Sequence, residues 1–460
     1  MYSSGIMTQS KQAYRGALLN PMADAQGEFS GFELSNDHVV VVDEGQVTVA
    51  QAIDAIRAMG HERLAAVGLR FVEGELFFGD EILELSNLVI APGNVDTHTH
   101  IYQPRELEGD LMEWLPKMFK AGEIPAKQDS EKARAMARER LELLAANGTT
   151  RVIAWPTSSV KSARIVLEEA EALNLEVRVS FVAMDQNVPE ELMEDTATTV
   201  AGLEELLTEF EGRIVVIDRF PIAVSSELRR ELVRLSRAHG VLYEVHLDEN
   251  QGEIAFVKKL YDGRSVVRVL AEDGVFAPGM KVGLAHSIHT NHEDRECIRA
   301  NIKAGCKVFV RACPNSNNQL KSHLWNNSEY VPFPLREWQN LGAIVTMGTD
   351  LGAGNNFNLY QEMLDESARQ NGGANAGDAK PSPIELLEMG TVNGARSFGK
   401  TPADLRIREN APADFAVVTL APPNTEIKNP ADQMADRLIR GGAQGPQAMV
   451  ATFVQGRCVA

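Results

Sequence analysis

Four cysteines, four tryptophans and seven tyrosines are all that 460 residues contain of those types. Cys297, Cys306, Cys313 and Cys458 form no Cys-x-x-Cys pair. That argues against a disulfide framework and a thiolate metal site, and predicts reduced thiols in a cytoplasmic protein. Long apolar runs are missing as well. Residues 1 to about 30 are polar with short apolar pieces such as Ala17-Leu18-Leu19, so no signal peptide is expected, and no later stretch reaches membrane-spanning length. Positive charge is in deficit: 45 Lys and Arg stand against 64 Asp and Glu, a net −19 that would repel a phosphate backbone and excludes nucleic acid as a partner. Several catalytic signatures are also missing. There is no His-Glu-x-x-His, no Pro-Cys-x-x-Cys with His-x-Glu, and no Gly-x-x-x-x-Gly-Lys-Ser/Thr.

What is present is a strand–helix rhythm. Val- and Ile-rich runs occur at Leu88 to Ile90 leading into Val95, Arg151 to Trp155, Val177 to Ala183, Ile214 to Ile217, Val241 to Val245, Val282 to Ala285, Lys307 to Val310 and Ala343 to Met347. Charged segments with helical spacing lie between them, among them Glu131 to Ala146, Ser162 to Leu173, Ser226 to Ala238 and Glu293 to Ala304. Several stop at a glycine (Gly148, Gly240, Gly305, Gly342), the residue that best tolerates the left-handed turn ending a helix. The alternation predicts parallel strands, hence an α/β fold: a (β/α)8 TIM-like barrel, with an open doubly wound sheet as the competing arrangement. Short strands near both ends, such as Val39 to Val42, Glu75 to Phe78, Ala416 to Leu420 and Met449 to Val454, predict one small β-domain built from distant parts of the chain. The division expected is a tail over 1–31, the first part of the β-domain over 32–90, the barrel over 91–400 and the second part over 401–460. Asn371 to Pro383, rich in Gly, Ala and Asn, reads as a long loop.

Four fragments at the carboxyl ends of these strands carry the chemistry: Asp96-Thr97-His98-Thr99-His100, His246-Leu247-Asp248-Glu249, Ala285-His286-Ser287 and Gly348-Thr349-Asp350. Residues two apart on a strand face the same side, so His98 and His100 can point together into a barrel mouth. Taken singly, each histidine reads as a hydrogen-bonded core residue. Their order at strands one, five, six and eight favours barrel closure around one divalent cation held by His98, His100, His246 and Asp350. Two or three imidazoles and a carboxylate suit zinc or iron. Glu249, three residues after His246, is placed to act as general acid/base on a water, with His286 and Asp350 assisting. The remaining histidines, His38, His61, His239 and His323, have no partner in the pattern, and His289 and His292 fall in a loop and the first turn of the next helix. The fourth strand ends in Asp218-Arg219, with no lysine for a second metal, so one metal is the simpler reading.

The order His-x-His, His-x-x-Glu, His, Asp resembles the amidohydrolase superfamily in its single-metal deaminase branch. The resemblance is strongest to guanine deaminases. It extends through His100-Ile101-Tyr102-Gln103, Leu111-Met112-Glu113-Trp114-Leu115, Asn147-Gly148-Thr149-Thr150, Ala183-Met184-Asp185, Arg219-Phe220 and Cys313-Pro314-Asn315-Ser316-Asn317, covering about Ile90 to Gly399. It implies that Gln103, Arg219 and Phe220 contact a purine, that the reaction is hydrolysis of guanine to xanthine and ammonia in purine catabolism, and that the enzyme is a homodimer. A related deaminase acting on a pterin, an oxidised purine, a triazine or a cytosine-like ring keeps the same metal site with a different pocket. A non-catalytic binding member is the remote alternative.

Overall fold

The structure is a computed structural model describing residues 6–8, 11–105, 109–322, 324–325, 329–370 and 380–460. Eight short parallel strands form the barrel: Asn94–His100, Thr149–Trp155, Glu176–Val179 continued by Val182–Ala183, Val216–Asp218, Leu242–Leu247, Lys281–His286, Lys307–Ala312 and Ile344–Met347. The fourth through seventh are buried almost end to end, as parallel strands flanked by helices must be. Between the third and fourth strands the Val179 amide donates to the Arg213 carbonyl at 3.0 Å. Closure between the eighth and the first rests on the Thr97 hydroxyl donating to the Met347 carbonyl at 2.7 Å and the Asp350 amide to the His98 carbonyl at 2.8 Å. Gly348 permits that approach, because a Cβ there would lie 2.7 Å from His98 Cβ and 2.8 Å from its carbonyl oxygen. The sheet is therefore closed, not open.

The outer helices follow the predicted segments closely: Ser130–Ala146, Val160–Ala172, Ser226–His239 and His292–Lys303. Each begins at a side-chain cap, from Asp129, Ser159, Ser225 and Asn291 respectively, worth about 1 kcal/mol apiece. The four glycines expected to stop helices all have positive φ, between 62° and 106°. No described helix is long and apolar enough to cross a membrane.

Both chain ends build one sheet, in the order Arg457–Cys458, Met449–Val454, Phe415–Thr419, Leu88–Ala91, Lys11–Ala23, Phe29–Asp43, Gln46–Ala52, with Ile6–Thr8 paired on Lys11–Ala23. Tyr14, Leu18, Val40, Ile90, Phe415 and Phe453 meet in its core. Two expectations need correction. Residues 1–31 are not simply a tail, since Lys11–Ala23 lies inside the sheet, antiparallel to Phe29–Asp43 and parallel to Leu88–Ala91. Gly16, Pro21 and flanking polar residues break the apolar pattern there, but long-range pairing overrides it. Leu88 to Ile90 does not lead into the first barrel strand either. It pairs with Phe415–Thr419, and Pro92-Gly93 separates it from Asn94–His100. Glu75–Phe78 sits in a separate antiparallel trio with Leu69–Val72 and Glu81–Ile82. Most of the loop expected at Asn371 to Pro383 lies outside the described residues, as does His323.

One buried carboxyl gives the fold a pH signature. Glu366 is fully enclosed on helix Leu359–Gln370, where Gln370 Nε2 donates to it at 2.8 Å. Burial pushes its pKa up to about 7, against the opposing hydrogen bond and the Arg369 charge. The unfolded chain releases this proton first, so the group favours folding at low pH, and that contribution is lost as pH rises to about 7. Glu366→Gln is expected to gain on the parent by roughly 1–3 kcal/mol between pH 5 and pH 8. Melting curves at the two pH values check it. Parallel shifts of both proteins would contradict it.

Candidate active site

The residues expected to carry the chemistry, His98, His100, Gln103, Arg219, Phe220, His246, Glu249, His286 and Asp350, lie at or just past the carboxyl ends of the barrel strands. His100 stands opposite Trp155 on the neighbouring strand, and Leu247 opposite His286. His246 is the penultimate residue of its strand, and Asp350 sits three residues past the end of Ile344–Met347. His286, Ser287 and Asp350 hold left-handed backbones, φ 67°, 55° and 44°, a conformation costly for non-glycine residues and concentrated at functional sites.

The imidazoles are packed tightly. His100 Nε2 and His246 Nε2 are 3.3 Å apart. Asp350 Oδ1 lies 3.4 Å from His98 Nε2 and 3.5 Å from His100 Nε2. His286 Nε2 is 3.6 Å from Glu249 Oε2 and 3.8 Å from Asp350 Oδ2. Possible ligand atoms fall into overlapping sets, each within 4.8 Å: His98, His246 and His286; His98, His100 and Asp350; Glu249, His286 and Asp350. His286 thus belongs to two of these sets, alongside His98, His246 and Asp350. Both ring nitrogens of His98, His100 Nδ1, His286 Nε2 and Asp350 Oδ1 are buried without a hydrogen-bond partner. Orphaned buried polar atoms are rare, and this set of nitrogen and carboxylate donors is one that a divalent cation satisfies. The residues fit a cation.

Supporting groups fix the rings. His246 Nδ1 donates to the Arg219 carbonyl at 2.7 Å and His286 Nδ1 to Asn317 Oδ1 at 2.8 Å, leaving both Nε2 lone pairs turned inward. Trp155 packs against His98 and His246 with ring centres 4.7 and 4.5 Å away. Asp96 accepts from the backbone and hydroxyl of Thr349, which positions the turn carrying Asp350. Burial lowers His98, His100, His246 and His286, so all four favour the neutral form that ligates metals. Burial and then the negative Asp350 push Glu249 well above the usual carboxylate range. Burial would raise Asp350 too, but the close approach of the His98 ring at 3.4 Å, with His286 and His100 nearby, holds it well below the usual carboxylate range.

Beside this cluster opens a narrow cleft lined by Gln103, Leu111, Trp114, Leu115, Arg219, Phe220, Leu320 and Ala353 along with His100, His246, Glu249 and Asp350. Gln103, Arg219 and Phe220 therefore line the same cleft. Phe220 stands edge-on to His246, ring centres 6.3 Å apart. Glu123 was not foreseen. It is fully buried in the π-helical turn Phe119–Glu123 and accepts from Arg219 Nη1 on both oxygens at 2.9 Å. Gly122 allows this turn against the first strand's exit, since a Cβ there would lie 2.2 Å from the Tyr102 carbonyl oxygen. One acidic residue ending a charged segment gives no signal in sequence. Asn317 lay within a motif already noticed, but its partner became visible only in the fold.

Two other expectations resolve here. His289 is buried away from the cluster, its Nε2 donating to the Ser322 carbonyl at 2.5 Å, and His292 opens the helix His292–Lys303 on the surface. Among the thiols, Cys306 and Cys313 are buried while Cys458 is exposed. A larger hollow, about 690 Å3, lies at the other end of the barrel among Arg178, Lys281, Lys307 and Arg396 and contains none of the clustered imidazoles.

Residues 89–447 match the amidohydrolase family. Guanine deaminase of Escherichia coli (strain K12) is 28% identical, over 93% of this chain and 99% of its own length. A probable guanine deaminase of Deinococcus radiodurans is 30% identical over 69% and 71%. The crystal structure of guanine deaminase from C. acetobutylicum with bound guanine superposes with a TM-score of 0.76, at 23% identity, over 98% of this chain and all of that one. The chain belongs to the amidohydrolase family and is similar within it to the guanine deaminases.

Proposed function

We propose that the protein is a metal-dependent hydrolytic deaminase converting guanine and water to xanthine and ammonia. The observation that carries this reading is one cleft lined at once by the buried acid Glu249, which lies 3.6 Å from His286, by His100, His246 and Asp350, and by Gln103, Arg219 and Phe220. His98, His100, His246 and Asp350 would hold the cation. A bound divalent cation supplies a water that ionises near pH ~7 instead of ~15.7.

The chain's own groups account for the proton traffic. Glu249 takes a proton from the attacking water and delivers it to the ring nitrogen beside the amino-bearing carbon. Its upward shift suits a group that must hold that proton before passing it on. His286, anchored through Asn317, turns an Nε2 lone pair toward the water and orients it. The carboxylate of Asp350 takes the second proton and hands it to the departing amine. The carbon–nitrogen bond breaks, ammonia leaves and the carbonyl of xanthine forms. Arg219 donates to the purine carbonyl, and Phe220 covers a ring face.

Zinc or iron suits the donor set, and a homodimer and the cytoplasm complete the reading. The family resemblance supports the dimer, and the unpaired thiols support the compartment. A panel of guanine, 2,6-diaminopurine, a pterin, a triazine and cytosine, scored by ammonia release, tests the substrate. Guanine is expected to exceed every other ring by at least about 100-fold in kcat/KM. Faster turnover of another ring would reassign it.

A further inference from the structure

Gln103 has an amide whose two ends differ chemically, and the structure fixes which end is held by Glu123. Its Nε2 donates to Glu123 Oε1 at 3.2 Å. An ionised carboxylate only accepts, so the reversed amide would set oxygen against oxygen. Gln103 Oε1 consequently points away from Glu123. Gln103 lines the cleft, its Oε1 is buried, and among the described residues no group donates to it. Glu123 also binds Arg219 Nη1 through both oxygens, while Phe119 lies under the guanidinium with its centroid 4.7 Å from Cζ. One buried carboxylate thereby sets two neighbouring groups in opposite senses: an acceptor at Gln103 and a cationic donor at Arg219.

We infer that Glu123 is a positioning residue for substrate selection, orienting Gln103 and Arg219 so that the cleft accepts a ring edge with N–H beside C=O and rejects one with a bare nitrogen beside an amine. This rests on the reading of the protein as a guanine-type deaminase. In guanine the edge that runs from the reacting carbon offers N1–H and the C6 carbonyl, matching the acceptor and donor side by side. In 2,6-diaminopurine the same edge carries a lone pair at N1 and an amine at C6. The lone pair would meet Gln103 Oε1, and the amine would meet the Arg219 cation. Two buried polar contacts then fail at once, the circumstance in which a hydrogen-bonding pocket discriminates most strongly. The reacting carbon and the leaving amine are the same in both rings, so the difference isolates the edge.

The test compares kcat/KM for guanine and for 2,6-diaminopurine in the metal-loaded parent and in Glu123→Gln, by ammonia release. A glutamine at 123 offers its own amine or carbonyl to Gln103, so the amide is free to reverse. The preference for guanine is expected to fall by about tenfold or more, mainly through KM for guanine, and Glu123→Asp is expected to retain most of it. A variant that loses activity on both rings equally would reduce Glu123 to a structural role and overturn the inference. So would an unchanged ratio. Should Glu123→Gln not fold, Gln103→Met removes the same acceptor, and the same ratio is read: its collapse supports the assignment and its persistence overturns it. A parent protein inert toward guanine would sink the functional reading itself, and the inference with it. A parent active on guanine whose variants keep the ratio would sink the inference alone.

Discussion

Glu249→Gln is expected to lower kcat by about 1,000-fold while the protein keeps its cation and its fold. The side chain keeps its volume, so the packing at the mouth is undisturbed, and the contact to the Ser322 hydroxyl at 3.4 Å can re-form. What is lost is the group that accepts the water's proton and returns it to the ring. The parent carboxyl sits in a site that disfavours its charge, through burial and the neighbouring Asp350. A neutral amide escapes that penalty. The melting temperature of the variant should therefore equal or exceed the parent's as activity disappears, the pattern of a residue kept for chemistry at a cost in stability. Steady-state rates, metal content and melting curves on one preparation decide it. Full activity would remove Glu249 from the mechanism, and a lost cation would make it a ligand.

Stripping the cation with a strong chelator should abolish turnover and lower stability together, and adding back zinc or iron should restore both. Binding that favours the folded state at a thousandfold excess over Kd contributes about 4 kcal/mol. Its removal also returns His98, His286 and Asp350 to the condition of buried atoms with no partner. Asp350→Asn should mimic the chelator in part. The carboxylate faces His98 and His100 at 3.4 and 3.5 Å, and an amide there halves neither distance nor bulk but removes the negative charge that balances a dication. Elemental analysis before and after treatment, paired with activity, checks the expectation. An apoprotein with full rate would end the case for a metal-dependent reaction.

The strand ends were readable because the barrel places each beside its neighbours by topology alone. His98 and His100 share one strand, and His246, His286 and Asp350 follow parallel strands, so local spacing was enough. Groups defined by partners across the fold were not readable. Glu123 acts only because a π-helical turn carries it under Arg219, almost a hundred residues away in sequence, and nothing local distinguishes it from a solvated acid. Trp155 was read only as the end of a strand, and its contact with the imidazoles follows from the pairing of the first two strands. Lys11–Ala23 failed for a similar reason. Its pairings with Phe29–Asp43 and Leu88–Ala91 supply what its own interrupted pattern lacks.

Below the imidazole layer, Arg311 and Glu244 form an ion pair with no solvent exposure, and Arg311 Nη1 also reaches Thr346 Oγ1 at 3.1 Å and Ser397 Oγ at 2.9 Å. This buried ion pair plugs the barrel interior among the described residues, leaving the site to face the mouth. Substrate, deaminated base and ammonia are then expected to share the mouth, so that the small leaving molecule must move past, or after, the larger one.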